Sequence, residues 1–322
     1  MKHLTQGSTR YHNGTRVLHL NNIAQVPKRI TEIARKDGRS WAFHDLPPVV
    51  FSPQGLYHRG IDELNWLRGR KAIDIVHVHY ATNGYYLYGF KGPSILHFHG
   101  TDARINYQNR IIRTVIDKAV DSASAVVYAT PDLEDQVKSI CPDALYLPNP
   151  VPPPLPPSKR MSVIPNRIFF NARWDASKGG LELVEAARAL VRSGLEVVGI
   201  DWGTFASEAK AAGVNLLPLT NPGRFAQLMS SAEIIVGQFG LPALGVADLM
   251  ALQTGRPLMR GYANTDAPMT ATTLAELPIR ILDDLRTGID PSHSESGLTW
   301  VENHHGPKHC LEKWENLYRT IY

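Results

Sequence analysis

An arginine and a lysine five residues apart, Arg173 and Lys178, precede a glycine pair in the stretch Phe170-Asn-Ala-Arg-Trp-Asp-Ala-Ser-Lys-Gly-Gly180. These residue types suit a phosphate or diphosphate. Arg grips such a group bidentately and Lys serves as a mobile point charge. Glycine lets the backbone come close, and the first turn of a helix offers N–H groups that have no helical partner. The spacing is neither a Walker nor a Rossmann glycine pattern, and an ordinary strand-to-helix turn with two surface cations would read the same way. A second loop, Gly237-Gln-Phe-Gly-Leu-Pro-Ala-Leu-Gly245, stands ahead of an apolar helix from Ala247 to Gln253 and offers its own backbone N–H groups to an anion.

Histidines form the other constellation. Ile73-Asp-Ile-Val-His-Val-His79 alternates so that Ile75, His77 and His79 share one face of a strand while Val76 and Val78 share the other. Ser94-Ile-Leu-His-Phe-His99 repeats the pattern and breaks at Gly100-Thr-Asp-Ala-Arg104. Three readings fit His77, His79, His97 and His99. They can be strand-end side chains bonded to their neighbours. They can hold a metal, since His97-x-His99 with Asp102 loosely resembles the His-x-His-x-Asp-His run of binuclear hydrolases, although the spacing differs and no His follows Asp102. Or they can line a polar pocket that reads a hydroxylated substrate or stabilises charge.

The elements that must position these groups alternate. Arg16–Leu20 reads as a strand, Asn21–Ala24 as its turn, and Pro27 to Gly38 as a helix with Pro at its start and Gly at its end. The strands at 73–79 and 94–99 follow, then a helix from Ile111 to Val120, a strand Ala125–Tyr128, a helix from Pro131 and a strand Leu145–Leu147. Between residues 148 and 165 the chain is too rich in proline for a helix or a central strand, which makes a semi-rigid linker. Strands and helices then alternate again through Arg167–Phe170, Leu181–Val191, Leu195–Ile200, Ser207–Ala212, Val214–Leu217, Phe225–Met229 and Glu233–Val236. The segment from Trp300 to Tyr322 reads as one long terminal helix. Such alternation implies two α/β domains with parallel sheets, and ligands at the carboxyl ends of their strands.

A length of 322 residues suits two domains at roughly 150 residues each. The content, 43% hydrophobic and 20% charged, is that of a globule able to bury such cores. A net charge of +4 without dense basic blocks excludes a nucleic-acid binder, while leaving an anionic substrate or a peripheral membrane contact open. No apolar run approaches the roughly 20 residues of a membrane span, and Met1–Ser8 lacks the apolar core of a signal peptide. Two cysteines, Cys141 and Cys310, make no disulfide framework. A cytoplasmic protein is expected. Residues 1–15 read as a polar, loosely held arm.

Six segments in order resemble the retaining nucleotide-sugar glycosyltransferases of the large group often called family four. Asp74-Ile-Val-His-Val-His79 is similar to that family's D-I-V-H-x-H strand, and His97 to Arg104 to its H-x-H-G-x-D-x-R segment. Leu147-Pro-Asn-Pro-Val151 resembles its L-P-N-x-V hinge, and Arg173-x4-Lys178-Gly179 its donor-phosphate loop. Met250 to Pro257 resembles its A-x-x-x-G-x-P helix end, and the last helix the one that crosses back to the first domain. The resemblance implies a GT-B fold: two Rossmann-like α/β domains facing a central cleft. Residues 1–152 would bind the acceptor and 153–322 the donor, with the helix from about 303 to 322 returning to the first domain.

The same resemblance implies roles. Arg173 and Lys178 would bind the donor diphosphate and offset charge on the leaving nucleotide, and His99 would face the transferred sugar. Gly179, Gln238, Leu244, Gly245 and Asp248 would line the donor. Asn22, His79, Asp102 and Arg104 would serve the acceptor side, with Asp102 and Arg104 shaping it or steadying the loop. No metal or other cofactor is expected. The donor is a nucleotide-diphosphate sugar, and the acceptor a small molecule, a glycan or a lipid-linked intermediate. The chain departs from the family in two places. Asn21-Asn22 stands where members often have a glycine pair. The family's two glutamates, eight residues apart, fall at Gly237 and Gly245 when aligned on Phe239–Pro242, or the second at Met250 when aligned on Gly255-Arg-Pro257, with Asp248 the nearby acid two positions early. A non-catalytic nucleotide-sugar-binding subunit and a histidine-based metal hydrolase are the alternatives.

Overall fold

A computed structural model describes residues 11–48, 52–263, 266–289 and 292–322. The chain divides into two compact units, Met1–Pro150 with His305–Tyr322, and Val151–His304. Of the arm expected over residues 1–15, residues 1–10 lie outside the described residues. Tyr11–Thr15 is tied in: Thr15 N donates to His12 O (2.9 Å) and Trp41 Nε1 to the Tyr11 hydroxyl (3.2 Å).

The first unit carries strands β1 (Val17–Leu20), β2 (Trp41–His44), β3 (Ile75–His79), β4 (Ser94–Phe98), β5 (Ala125–Tyr128) and β6 (Leu145–Tyr146). They form one parallel sheet in the order β2-β1-β3-β4-β5-β6. Its helices are α1 (Val26–Lys36), α2 (Pro53–Gly69), α3 (Thr101–Arg104), α4 (Arg110–Ser122) and α5 (Glu134–Ile140). The second unit carries β7 (Arg167–Phe170), β8 (Glu196–Ile200), β9 (Asn215–Leu217), β10 (Ile234–Val236), β11 (Leu258–Arg260) and β12 (Thr270–Ala271), parallel in the order β12-β11-β10-β7-β8-β9. Its helices are α6 (Gly180–Arg192), α7 (Ala206–Ala211), α8 (Pro222–Ser230), α9 (Val246–Gln253), α10 (Leu277–Thr287) and α11 (Ser292–His305). The last helix, α12 (Pro307–Ile321), belongs to the first unit.

Both sheets are covered on both faces, which is why their strands read as near-continuous apolar runs. In the first, Val76, Val78, Leu96 and Phe98 face a core completed by Trp66, Ile116 and Ala119. Val17, Ile75, Ile95 and Val127 face the other core, against Ile30, Trp314 and Tyr318. In the second sheet, Ile168 and Phe170 face one core with Trp174 and Leu183, and Phe169 and Ile235 face the other with Met229 and Leu249.

The sequence reading assigns no element between Gly38 and Ile73, yet β2 and α2 lie there. Helix α2 is announced only by Ser52, whose hydroxyl accepts from Gly55 N (3.1 Å), and by Pro53 behind it. The single terminal helix is two. Gly306 is extended (φ −61°, ψ 155°) and Pro307, which lacks an N–H and clashes with a preceding turn, opens α12. Among the described residues no helix is long and apolar enough to cross a membrane.

Trp314 is wholly buried, and its Nε1 donates to Pro148 O (3.0 Å). Trp314→Ala is expected to cost about 3–5 kcal/mol of unfolding free energy. Urea titration followed by circular dichroism measures it.

Candidate functional site

In each sheet the strand order reverses beside the first strand of its unit, between β1 and β3 in one and between β7 and β10 in the other. The crevice beyond the carboxyl ends at such a reversal is where open α/β sheets bind ligands. Asn21, Asn22, His79 and Tyr80 stand at the first reversal; Asn171, Arg173, Gly237 and Gln238 stand at the second.

The turn after β7 is organised by Asp175. Its Oδ1 accepts from Ser177 N (3.0 Å) and Ser177 Oγ (2.6 Å), and its carbonyl accepts from the amides of Lys178 (3.0 Å) and Gly180 (3.1 Å). These three amides are satisfied within the turn, and of the first turn of α6 Gly180 is the residue whose amide is taken up in this way. Gly179 adopts φ 129°, closed to residues with a side chain. The Arg173 guanidinium lies 4.9 Å over the Trp202 ring, with Nε 3.1 Å from Asp175 Oδ2, and its side chain keeps 39% of its accessible surface. Lys178 Nζ donates to Gln238 Oε1, and Gln238 Nε2 donates to Ala243 O. Phe239 N donates to Lys178 O (3.1 Å). Gly240 lies so close to Ser177 that a Cβ there would sit 2.2 Å from its carbonyl oxygen. The two loops are thus locked edge to edge.

Beneath them lies a buried ion pair that sequence reasoning missed. Arg260, at the end of β11, is wholly buried and its Nη2 donates to the carbonyls of Leu241 (3.3 Å), Pro242 (3.0 Å) and Ala243 (2.8 Å). Its Nη1 faces Asp248 Oδ2 at 3.8 Å, and Asn171 Nδ2 donates to Asp248 Oδ1 (3.2 Å). Burial raises the Asp248 carboxyl above its ordinary value, and the Arg260 charge, then Asn171, oppose that rise. Asp248 faces inward, as does Leu244 in the core; Gly245 precedes α9. A Cβ at Gly237 would lie 2.7 Å from Asp248 Oδ1, so a side chain at that position would have to displace the buried Asp248 carboxylate.

At the first sheet, five imidazoles line one face. His19 Nδ1 meets His79 Nε2 at 3.0 Å, His79 Nδ1 meets His99 Nε2 at 3.0 Å, and His77 Nε2 meets His97 Nδ1 at 3.1 Å. The Tyr318 hydroxyl of α12 joins the two groups, 2.8 Å from His77 Nδ1 and 3.4 Å from His19 Nε2. Trp314 stacks beneath His77, ring centres 5.0 Å apart. Four of the rings are wholly buried and His99 keeps partial solvent access. Burial pushes His19 down to about 3 and lowers His77, His79, His97 and His99 as well. All five are neutral at ordinary pH.

Two triads, His19–His77–His79 and His79–His97–His99, bring one ligand nitrogen from each residue within 4.8 Å of one another. In the first triad all six nitrogens are already in hydrogen bonds. In the second a tetrahedral ion with N ligands at roughly 2.0–2.1 Å would require the rings to draw together and break the His79–His99 link. The hydrogen bonds account for the spacing directly.

Asp102 is wholly buried and accepts from the amides of Ala81 (2.8 Å), His99 (3.0 Å), Gly100 (2.7 Å) and Ala103 (3.1 Å). Burial raises its carboxyl, and those four amides oppose the rise. Of the two roles expected for it, these contacts are those of steadying the loop. Arg104 pairs with Asp132. Asn22 Oδ1 accepts from Lys28 N (3.2 Å), while Asn21, with φ 74°, donates from Nδ2 to His79 O (3.1 Å). Two surface depressions, about 430 Å³ around Pro47–Asn65 and about 580 Å³ around Ala271–Arg286, are lined by none of the candidate residues.

No family model and no curated protein matches the chain in sequence. Solved structures match it in shape. Sucrose-phosphate synthase from Thermosynechococcus elongatus gives a TM-score of 0.68 at 13% identity, covering 95% of this chain and 99% of its own. Anabaena HepE in complex with UDP and glucose gives 0.70 at 11%, covering 94% and 99%. WaaG, a glycosyltransferase involved in lipopolysaccharide biosynthesis, gives 0.65 at 14%, again covering 94% and 99%. The chain has the GT-B fold.

Within that GT-B frame, both clusters depend on buried polar groups, and two measurements test this. The imidazoles have folded-state values below their unfolded value of about 6.5. They therefore contribute full stability above pH 6.5 and lose it progressively as pH falls toward 3. Asp102 and Asp248, whose carboxyls burial raises, act oppositely, so across pH 6.5 to 5 the imidazole share is read as the difference between wild type and His77→Phe. The melting temperature is expected to fall across that interval, and less so in His77→Phe; a flat profile contradicts it. For the ion pair, Arg260→Met is expected to cost about 3–5 kcal/mol in urea unfolding, and adding Asp248→Leu to recover much of it, because a lone buried charge is worse than none.

Proposed function

We propose that the chain is a retaining glycosyltransferase that moves a sugar from a nucleotide-diphosphate donor to an acceptor. The observation that carries this reading is the pair of cations, Arg173 and Lys178, at the strand-order reversal of the second sheet in a GT-B fold. There the guanidinium and the ammonium bind the diphosphate and offset the charge that grows on it as the glycosidic bond breaks. Preorganised charge of this kind acts on the transition state. Stacking on Trp202 and the bond to Gln238 hold the two cations at low entropic cost. Gly179 admits the donor closely, and Leu244, Gly245 and Asp248 hold the shape of the loop beside it.

On the first sheet, His99 meets the transferred sugar, while Asn22, His79, Asp102 and Arg104 fix the edge that receives the acceptor. No side chain is assigned as a nucleophile. The acceptor hydroxyl attacks on the face from which the diphosphate departs, which preserves the anomeric configuration. The two cations supply the charge that a metal would otherwise provide, so no metal is required by this scheme. HepE has been solved with UDP-glucose and TarM with UDP, which makes uridine donors the first to try.

A second reading, a nucleotide-sugar-binding subunit without catalysis, is favoured by one feature: glycines stand at both glutamate positions, and Asp248 is occupied by Arg260.

A thermal-shift series with UDP-, GDP-, ADP- and dTDP-sugars identifies the donor, since a ligand that binds only the native state raises the melting temperature. With that donor, Lys178→Ala is expected to lower turnover about 10²-fold or more. NMR of the product sets its anomeric configuration. Near wild-type turnover by the variant refutes the assignment, and nucleotide binding without transfer or donor hydrolysis selects the second reading.

A further inference from the structure

The imidazoles and the phenol of the first unit form one unbranched chain of hydrogen bonds, and such a chain has a direction. It runs His97 Nδ1–His77 Nε2 (3.1 Å), His77 Nδ1–Tyr318 Oη (2.8 Å), Tyr318 Oη–His19 Nε2 (3.4 Å), His19 Nδ1–His79 Nε2 (3.0 Å) and His79 Nδ1–His99 Nε2 (3.0 Å). A neutral imidazole has one N–H and one bare nitrogen, and a phenol donates once while accepting. Choosing the donor in one link therefore constrains the rest.

The two ends differ. His97 Nε2 is buried and has no hydrogen-bond partner among the described residues. His99 is partly open to solvent, so its Nδ1 can meet water whether or not it carries a proton. If every ring is Nε2–H, His97 points an N–H into a space without an acceptor. If Tyr318 accepts from both neighbours, its own O–H is stranded in the core. If every ring is Nδ1–H, all five links are filled and the buried loose end is a bare nitrogen. Buried donors without partners are rarer than buried acceptors without them, and each costs the desolvation of the group. One arrangement alone fills every link and strands no donor.

We infer that His19, His77, His79, His97 and His99 all adopt the Nδ1–H tautomer, so that the chain fixes the outward nitrogen of His99 as a hydrogen-bond donor to an oxygen of the substrate rather than as a base. The tautomer assignment stands on the geometry; the substrate oxygen rests on the function proposed above. His79 and His19 are positioning residues that act through the ring of His99. Tyr318 completes the inner half, because without its hydroxyl the His97–His77 pair strands one N–H in either direction, whereas His19, His79 and His99 still strand none.

The test is ¹⁵N–¹H correlation spectroscopy of the histidine-labelled full chain, which separates the tautomers by the shifts of the two ring nitrogens. Wild type is expected to show all five rings as Nδ1–H. Tyr318→Phe is expected to leave His19, His79 and His99 unchanged while His77 and His97 become mixed. An Nε2–H ring at His99 in wild type overturns the inference. So does stoichiometric zinc that displaces the His79–His99 link, and the wild-type measurement decides even if the variant does not fold. In transfer assays, His99→Gln, which keeps a donor, is expected to retain activity within a few-fold, and His99→Leu to lose roughly tenfold in kcat/KM. Activity that falls with decreasing pH in step with protonation of His99, followed in the same spectra, marks a base and overturns it. If wild type transfers no sugar, the function proposed above fails, while the spectra still judge the tautomers.

Discussion

A parallel sheet covered on both faces leaves no water for a polar side chain, and that constraint shapes both candidate sites. The chain satisfies it in two ways. Beneath the first sheet the polar groups are kept neutral: imidazoles and a phenol bond to one another, and burial lowers the proton affinity of each ring. Beneath the second, Arg260 and Asp248 meet as a pair, and Nη2 of Arg260 donates to three loop carbonyls. A neutral network carries direction through its protons, whereas a charged pair fixes position through its field.

Carboxylates do the same work at both strand edges. Asp102 gathers four amides from two loops, and Asp175 gathers an amide and a hydroxyl within one turn. Each replaces what helix or sheet cannot supply where regular structure stops. Several non-glycine residues at these edges take left-handed backbone, among them Asn21 (φ 74°), Ala24 (φ 51°) and Tyr80 (φ 69°). Asn tolerates that conformation through its short polar side chain; for Ala and Tyr it is strain that the surroundings must impose. All three lie at or just beyond the carboxyl ends of β1 and β3, where the first strand-order reversal opens.

Much of this was legible in the sequence, and the exceptions share a cause. Strands β3, β4, β5 and β7 are apolar runs, with breakers close behind three of them at Gly100, Pro131 and Asn171, and their positions follow from pattern alone. Strand β2, Trp-Ala-Phe-His, is four residues long and shows no alternation. The letters around β11 and β12 carry too little periodicity to be separated from loop. Among the site residues, His77, His79, His97 and His99 stand out by repetition, and Arg173 and Lys178 by the glycines behind them. His19, Tyr318 and Arg260 do not stand out. Each is a single polar residue in an apolar context, and its meaning comes from partners tens or hundreds of positions away, which one sequence does not reveal.

The loop from Gly237 to Gly245 departs from the glutamate-bearing loop that the sequence resembles, and its packing gives the physical reason. Once Asp248 occupies the space beside residue 237, a side chain there would collide with its carboxylate. The acid at 248 is then held inward by Arg260, whose Nη2 grips the carbonyls of Leu241, Pro242 and Ala243. A glutamate projecting from such a loop toward a ligand would need room at 237 that the buried pair has taken. The loop is shaped instead by a cation outside its own sequence, and Gln238, bonded to both Lys178 and Ala243, is the side chain that ties its outer edge to the cationic turn. The organising charge of this loop thus lies in the core, and Gln238, itself buried, spends its side-chain amide on Lys178 and Ala243.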